Sequence, residues 1–172
     1  MAANNSTVGS PGRLLRLTLA IYSNTKNDTE SSGDFARDYV VKASAIAARH
    51  GIEIYQQCYS PPNYREAIDA MNRQNKRGWV IDDHDITIEF YFRTFEELTA
   101  VNVDPDFQAL QSAEGPYVNL IHTVVTLSWV EKYVDNGKAV NIVDGKSTYP
   151  PRSVLMDLSN ATLGSAEKAE NL

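Results

Sequence analysis

Residues 83–107, DHDITIEFYFRTFEELTAVNVDPDF, place an alternating strand, a helix start and an Asp-Pro stop in fixed order. Along 85–92, Ile86, Ile88, Phe90 and Phe92 point one way and Asp85, Thr87, Glu89 and Tyr91 the other, because side chains of a strand alternate between its faces. One face is apolar. The other is polar yet aromatic, which fits the wall of a wet cavity better than a plainly solvated surface. Thr94 with Glu97 three residues later is the signature of a capping box, in which each side chain satisfies a free backbone N–H of the first helical turn. Asp104-Pro105 ends or breaks that helix, since proline disfavours helical geometry in the residue before it.

Outward from this stretch, residues 14–22 (LLRLTLAIY) set Leu15, Leu17, Leu19 and Ile21 against Arg16, Thr18, Ala20 and Tyr22, a strand with one aliphatic face. Residues 34–50 carry Phe35, Tyr39, Ala43, Ile46, Ala47 and His50 at helical spacing, with Asp34 as cap and Gly51 as stop. Residues 52–59 (IEIYQQCY) resume alternation, and we expect Ile52, Ile54 and Cys58 on the aliphatic side with Tyr55, Gln57 and Tyr59 on the polar one. Residues 60–82 predict a short helix over about 64–72 and a basic turn at Gly78, together an inserted, lid-like segment. A second helical piece is expected over 106–112, and a fourth strand over 123–133. The Asn136-Gly137 and Asp144-Gly145 pairs then predict a terminal hairpin or extended arm over 136–158.

The chain has 172 residues, 42% of them hydrophobic, which suits one domain with a real core over 13–135; residues 1–12 and 159–172 read as disordered tails. A net charge of −6 argues against nucleic-acid or anionic-membrane partners. One cysteine permits no internal disulfide, no apolar leader opens the chain, and no apolar run approaches the roughly 20 residues that span a bilayer. These features favour the cytoplasm.

The order strand, helix, strand, strand, helix, strand is the ferredoxin-like split βαββαβ arrangement: an α+β fold with a four-stranded antiparallel sheet and helices on one face. The other face is left bare. Two such faces packed together in a homodimer would enclose a cavity lined by Tyr, Gln, Glu, Thr and Ser.

DHDITIEFYF, then Asp104-Pro105-Asp106-Phe107, then Pro116-Tyr117-Val118 before a strand ending in Trp129-Val130-Glu131, resembles the EthD-domain family of dimeric α+β barrels over about residues 14–133. The resemblance is closest to the small EthD-like dehydratases and decarboxylases of fungal aromatic-polyketide pathways. It implies a cofactor-free lyase that tailors an aromatic polyketide in secondary metabolism. Where such proteins commonly carry His-Gly-Pro or His-Ala-Pro in the first helix, residues 39–44 here contain no histidine.

Three residues are candidates for catalysis. His84, among Asp82, Asp83 and Asp85, has carboxylates close enough to orient its ring for general-base work, unless it only fills a polar turn. Adjacent residues of an extended chain point in alternate directions, so the same four are not expected to converge on a metal. Glu89, in mid-strand on the cavity face, is a candidate acid or base, or else the partner of Arg16 in a cross-sheet ion pair. Tyr91 would steady a developing enolate. Arg16, Tyr22, Tyr55, Gln57, Tyr59, Thr87 and Ser128 are the expected substrate-binding residues, and the tyrosines serve equally as interface packing. His50, beside Gly51, reads as structural, and Cys58 has no histidine near in sequence to activate it. Besides the lyase, two other classes fit these residues: a non-catalytic ligand-binding or stress-response barrel, and a cofactor-free monooxygenase or cyclase.

Overall fold

The structure, a computed structural model, describes residues 13–24 and 29–158. Both expected tails lie outside these residues. Strand β1 (Leu14–Ile21) leads to helix α1 (Thr29–Arg49), β2 (Ile54–Tyr59), α2 (Pro62–Gln74), β3 (Ile86–Phe92), α3 (Phe95–Asn102), α4 (Pro105–Ser112) and β4 (Val124–Val130). The sheet runs β2-β3-β1-β4, antiparallel throughout, which is the ferredoxin-like topology expected.

Register explains the core. Leu15, Leu17, Leu19 and Ile21 stand opposite Phe92, Phe90, Ile88 and Ile86, so four aliphatic and four apolar partners share one face. On that face α1 brings Ala43 and Ala47, whose small side chains let its backbone come close, flanked by Tyr39 and Ile46. Phe92 and Val101 are fully buried, each such side chain stabilising by about 1.5–3 kcal/mol. Helix α1 begins five residues before the expected start, so Asp34 lies inside it rather than capping it. Gly33 costs a helix only about 1 kcal/mol relative to Ala and does not stop it. Gly51, at φ +86°, ends α1 as expected; a Cβ there would also press on Glu97.

The capping box forms as read: Thr94 accepts from the Glu97 N–H while the Glu97 carboxylate accepts from the Thr94 N–H. Asp104 caps α4, accepting from the N–H groups of Asp106 (2.9 Å) and Phe107 (3.4 Å). The same carboxylate takes Arg49 at 2.5 Å and His50 at 2.7 Å, so it fastens the end of α1 to the start of α4. His50 is thus structural through Asp104.

One face assignment is overturned. Tyr55, Gln57 and Tyr59 pair with Phe90, Ile88 and Ile86 and therefore stand on the helix side, while Ile54, Gln56 and Cys58 stand on the open face. A shift of one residue in phase moves every side chain of a strand to the other side. On edge strand β2 the apolar body of Tyr55 packs on Phe90, with ring centroids 4.9 Å apart, and Ile54 remains 38% exposed. Hydropathy alone ranks isoleucine inward of tyrosine. The amphipathic tyrosine wins because its ring meets the core while its hydroxyl stays among polar groups.

The segment between β2 and β3 is a longer helix than expected, and Arg65 on α2 donates to the carbonyls of Asp83 and His84. After β4, two tight hairpins follow: β5 (Val134–Asp135) with β6 (Lys138–Ala139), and β7 (Ile142–Val143) with β8 (Lys146–Ser147). Positive φ at Asn136-Gly137 and Asp144-Gly145 gives the turns a twist that matches their strands. The short helix α5 (Arg152–Leu155) buries Leu155, and Arg13 donates to the carbonyls of Leu155 and Asp157, tying this arm to the start of β1. Among the described residues no helix is long and apolar enough to cross a membrane.

Candidate functional site

On the open face the cross-strand register gathers Arg16, Thr87, Glu89, Tyr91 and Ser128, as their alternation requires. Glu89 is only 8% exposed. Its carboxylate accepts from Arg16 at 3.3 Å, Gln56 at 2.5 Å and Tyr91 at 2.9 Å. Burial, and then donation to Glu89, pushes the Tyr91 phenol above its ordinary pKa. Three donors converge on this carboxylate, so its lone pairs are largely committed and its charge is fixed in place. Beside it, buried Thr18 Oγ1, Ser128 Oγ and Arg16 Nε find no hydrogen-bond partner among the described residues.

A second group forms where β1 ends and β3 begins. The His84 ring holds Nε2 2.6 Å from Thr87 Oγ1, while Nδ1 lies 2.9 Å from Asp82 Oδ2, at ion-pair distance but without hydrogen-bond geometry. Asp82 also accepts from the His84 backbone N–H (3.1 Å) and from the Tyr22 hydroxyl (3.1 Å). Burial works to raise the Asp82 pKa, but these hydrogen bonds outweigh it and hold the carboxylate below its ordinary value. Donation to Asp82 raises Tyr22 in turn. Arg65 lies 3.6 Å from Asp85 and grips the backbone of the loop, so α2 sets where His84 sits. A pocket of about 310 Å³ opens alongside, bounded by Tyr59, Tyr64, Ile68, Val80 and Asp82.

Tyr55, Gln57 and Tyr59 form a separate chain on the helix side: Tyr59 donates to Gln57 Oε1 (2.8 Å) and Gln57 donates to the Tyr55 hydroxyl (3.0 Å). Burial pushes Tyr55 up to about 12 and Tyr39 higher still, and Glu114, which takes the Tyr39 phenol, is raised by its own burial.

The structure places Arg16, Thr87, Glu89, Tyr91 and Ser128 on one face, and it brings Tyr22 to His84 through Asp82, a grouping that the sequence did not suggest. Sequence alone misplaces the three β2 residues, names Asp82 only as one of three carboxylates around His84, and gives no site role to Gln56, Tyr39 or Glu114. Gln56 follows once the phase of β2 is known. Asp82 is recognisable as a residue two before His84 and able to bond its N–H. An acid in a loop, as Glu114 is, carries no local signal of burial.

An antiparallel β2-β3-β1-β4 sheet with helices on one face, and polar groups collected on the other face and at its end, defines a ferredoxin-like α+β protein with a candidate site for acid–base chemistry. No family model matches the chain. It is 41% identical over 140 residues, 81% of this chain and 88% of the other, to a protein of Aspergillus terreus named "Putative oxygenase", and it belongs to that protein's family. It is also 22% identical over 146 residues, 81% of this chain and 99% of the other, to the conidial pigment biosynthesis dehydratase EthD of Metarhizium robertsii. A dimeric ferredoxin-like protein of unknown function from Thermobifida fusca superposes with a TM-score of 0.49 at 13% identity, over 72% of this chain and 96% of that one.

Proposed function

We propose that the chain is an enzyme that removes a proton from an activated C–H or O–H of a planar, polyketide-type aromatic substrate, with His84 as the base. The observation that carries this reading is the His84 ring between Asp82 at 2.9 Å and Thr87 at 2.6 Å, with Asp82 itself lining an open pocket. A carboxylate beside Nδ1 stabilises the imidazolium that forms when Nε2 takes a proton. Thr87 occupies the place beside Nε2 where a substrate hydroxyl or enol would be bound and handed to the base. Tyr59 offers a phenol to the pocket, Tyr22 reaches its rim through Asp82, and Tyr64, Ile68 and Val80 supply an apolar wall for a flat ring system.

The relatives favour this common first step over any one overall reaction. Removing a proton alpha to a carbonyl yields an enolate; with a hydroxyl at the β position, hydroxide leaves and the net change is loss of water. With dioxygen as co-reactant, the same electron-rich anion is oxidised and dioxygen reduced. The A. terreus protein is named for the second outcome and the M. robertsii protein for the first. Decarboxylation remains a lyase reading of the same cavity, with the electron pair of the broken C–C bond passing to a held carbonyl.

Glu89 serves here as an anchor that fixes Arg16, Gln56 and Tyr91, and the open face is the surface through which two copies pair. The unpartnered Thr18, Ser128 and Arg16 atoms support pairing, because each buried orphan costs about 1–3 kcal/mol until something meets it. Incubating the protein with anthrone and with a β-hydroxy-ketone analogue, under air and under argon, tests the reaction by mass spectrometry. Gain of oxygen only under air assigns an oxygenase, loss of water in both atmospheres a dehydratase. If neither probe changes and neither exchanges its acidic protons faster than buffer alone, the reading fails.

A further inference from the structure

The C-terminal arm builds a second cleft, of about 660 Å³, at the end of the sheet remote from His84: Trp129 pairs with Leu15 at the start of β1, whereas His84 sits past its other end. Its floor is Glu131. The indole N–H of Trp129 donates to one carboxylate oxygen at 3.0 Å and the Tyr133 hydroxyl to the other at 2.5 Å. Both donors are neutral, and among the described residues no Lys, Arg or His forms an ion pair with Glu131. Tyr149 meets Tyr133 edge to face, with centroids 5.7 Å apart, and is locked by donation from the Lys132 N–H (2.8 Å) and Asn141 (3.2 Å) to its hydroxyl. Three aromatic rings thus line the cleft with a carboxylate that is met by two neutral donors and, among the described residues, by no cation. At the far side of the cleft stands Arg152, which also has no acidic partner among the described residues.

An aromatic surround with a carboxylate is the arrangement that attracts an organic ammonium group, since ring faces are negative and such a cation is only weakly hydrated. A guanidinium across the same cleft suits a carboxylate. We propose that this cleft binds a small zwitterion, a betaine or amino acid, with its ammonium group among Trp129, Tyr133 and Tyr149 over Glu131 and its carboxylate at Arg152. The site is independent of the proton-abstraction reading, for it shares no residue with the His84 pocket.

Fluorescence of Trp129 in a Trp79→Phe background reports occupancy directly, with glycine betaine, choline and butyrate as probes for both charges, the cation alone and the anion alone. Glycine betaine should give a saturable change, choline should bind several-fold more weakly, and butyrate should not bind. Glu131→Gln should weaken betaine by about tenfold or more, and Arg152→Ala should reduce betaine to the level of choline while leaving choline unchanged. Absence of saturable binding by betaine, betaine binding unaltered in Glu131→Gln, or butyrate binding as tightly as betaine would each overturn the proposal. Arg152 is on the surface, so its variant decides the matter even if Glu131→Gln folds poorly.

Discussion

Asp82 and His84 meet across the single residue Asp83, the Asp82 carboxylate accepting the His84 backbone N–H at 3.1 Å and lying 2.9 Å from its ring Nδ1. One side chain therefore fixes the backbone of the residue proposed as base and sets a negative charge beside its ring. Asp82→Asn keeps the shape of the turn but removes the negative charge that stabilises an imidazolium. Turnover of a responsive probe should fall by about one to two orders of magnitude, chiefly in kcat, with little change in melting temperature. Steady-state kinetics beside a thermal melt checks this, and an unaltered kcat would show that Asp82 only shapes the loop.

Glu89→Ala leaves Arg16, Gln56 and Tyr91 pointing at an empty site, and denaturant titration should show a loss of about 2–4 kcal/mol. Glu89→Gln keeps the volume and one acceptor oxygen and should cost about 1 kcal/mol, with turnover per folded molecule within a few-fold of the unmodified protein. A fall of several orders of magnitude in the Gln variant at full folding would make Glu89 an acid or base and not an anchor.

Asp104 gives the fold a pH dependence of known sign. Hydrogen bonds from His50 and Arg49, against the opposing effect of burial, hold it well below its ordinary value of 3.8. A carboxylate depressed in the folded state stabilises it fully above the unfolded value, and that stabilisation disappears as pH falls through the folded one. Asp104→Asn should therefore lower the melting temperature near neutrality, and the gap to the unmodified protein should close progressively below about pH 4. A constant gap from neutrality to pH 2 would contradict the assignment.

Most of the fold was legible because β1 and β3 lie at the sheet centre, where Leu15, Leu17, Phe90 and Phe92 meet a helix layer on one side only and keep strict alternation. The Thr94 capping box was legible for another reason: capping is local chemistry, complete within four residues, whereas Asp104 read only as a stop and its cap of α4 came from the structure. The β2 edge was not legible, since Ile54 is the more apolar of the two and only the position of Phe90 turns Tyr55 inward instead. His84 was legible at the mouth of β3, but its meeting with Tyr22 through Asp82 was not. The Tyr39–Glu114 pair joins residues far apart in sequence, and only tertiary packing reveals it.

Pairing through the open face predicts a particle of twice the 19.1 kDa chain mass in light scattering at micromolar concentration. Thr126 lies on that face opposite Thr18, and Thr126→Arg should yield a folded monomer by setting like charges against each other across the two-fold axis. A monomeric unmodified protein, or a variant that remains dimeric, would place the contact elsewhere.

The base itself is tested most directly by hydrogen exchange at the substrate. In deuterium oxide under argon, with anthrone as the probe, the unmodified protein should accelerate deuterium uptake at the acidic carbon well above the buffer rate, as read by proton NMR. His84→Gln, which retains a hydrogen-bonding side chain but no titrating ring, should return the rate to within a few-fold of buffer while the protein still melts cooperatively. Exchange by the His84→Gln protein at the unmodified rate would contradict the assignment of His84 as the group that takes the proton.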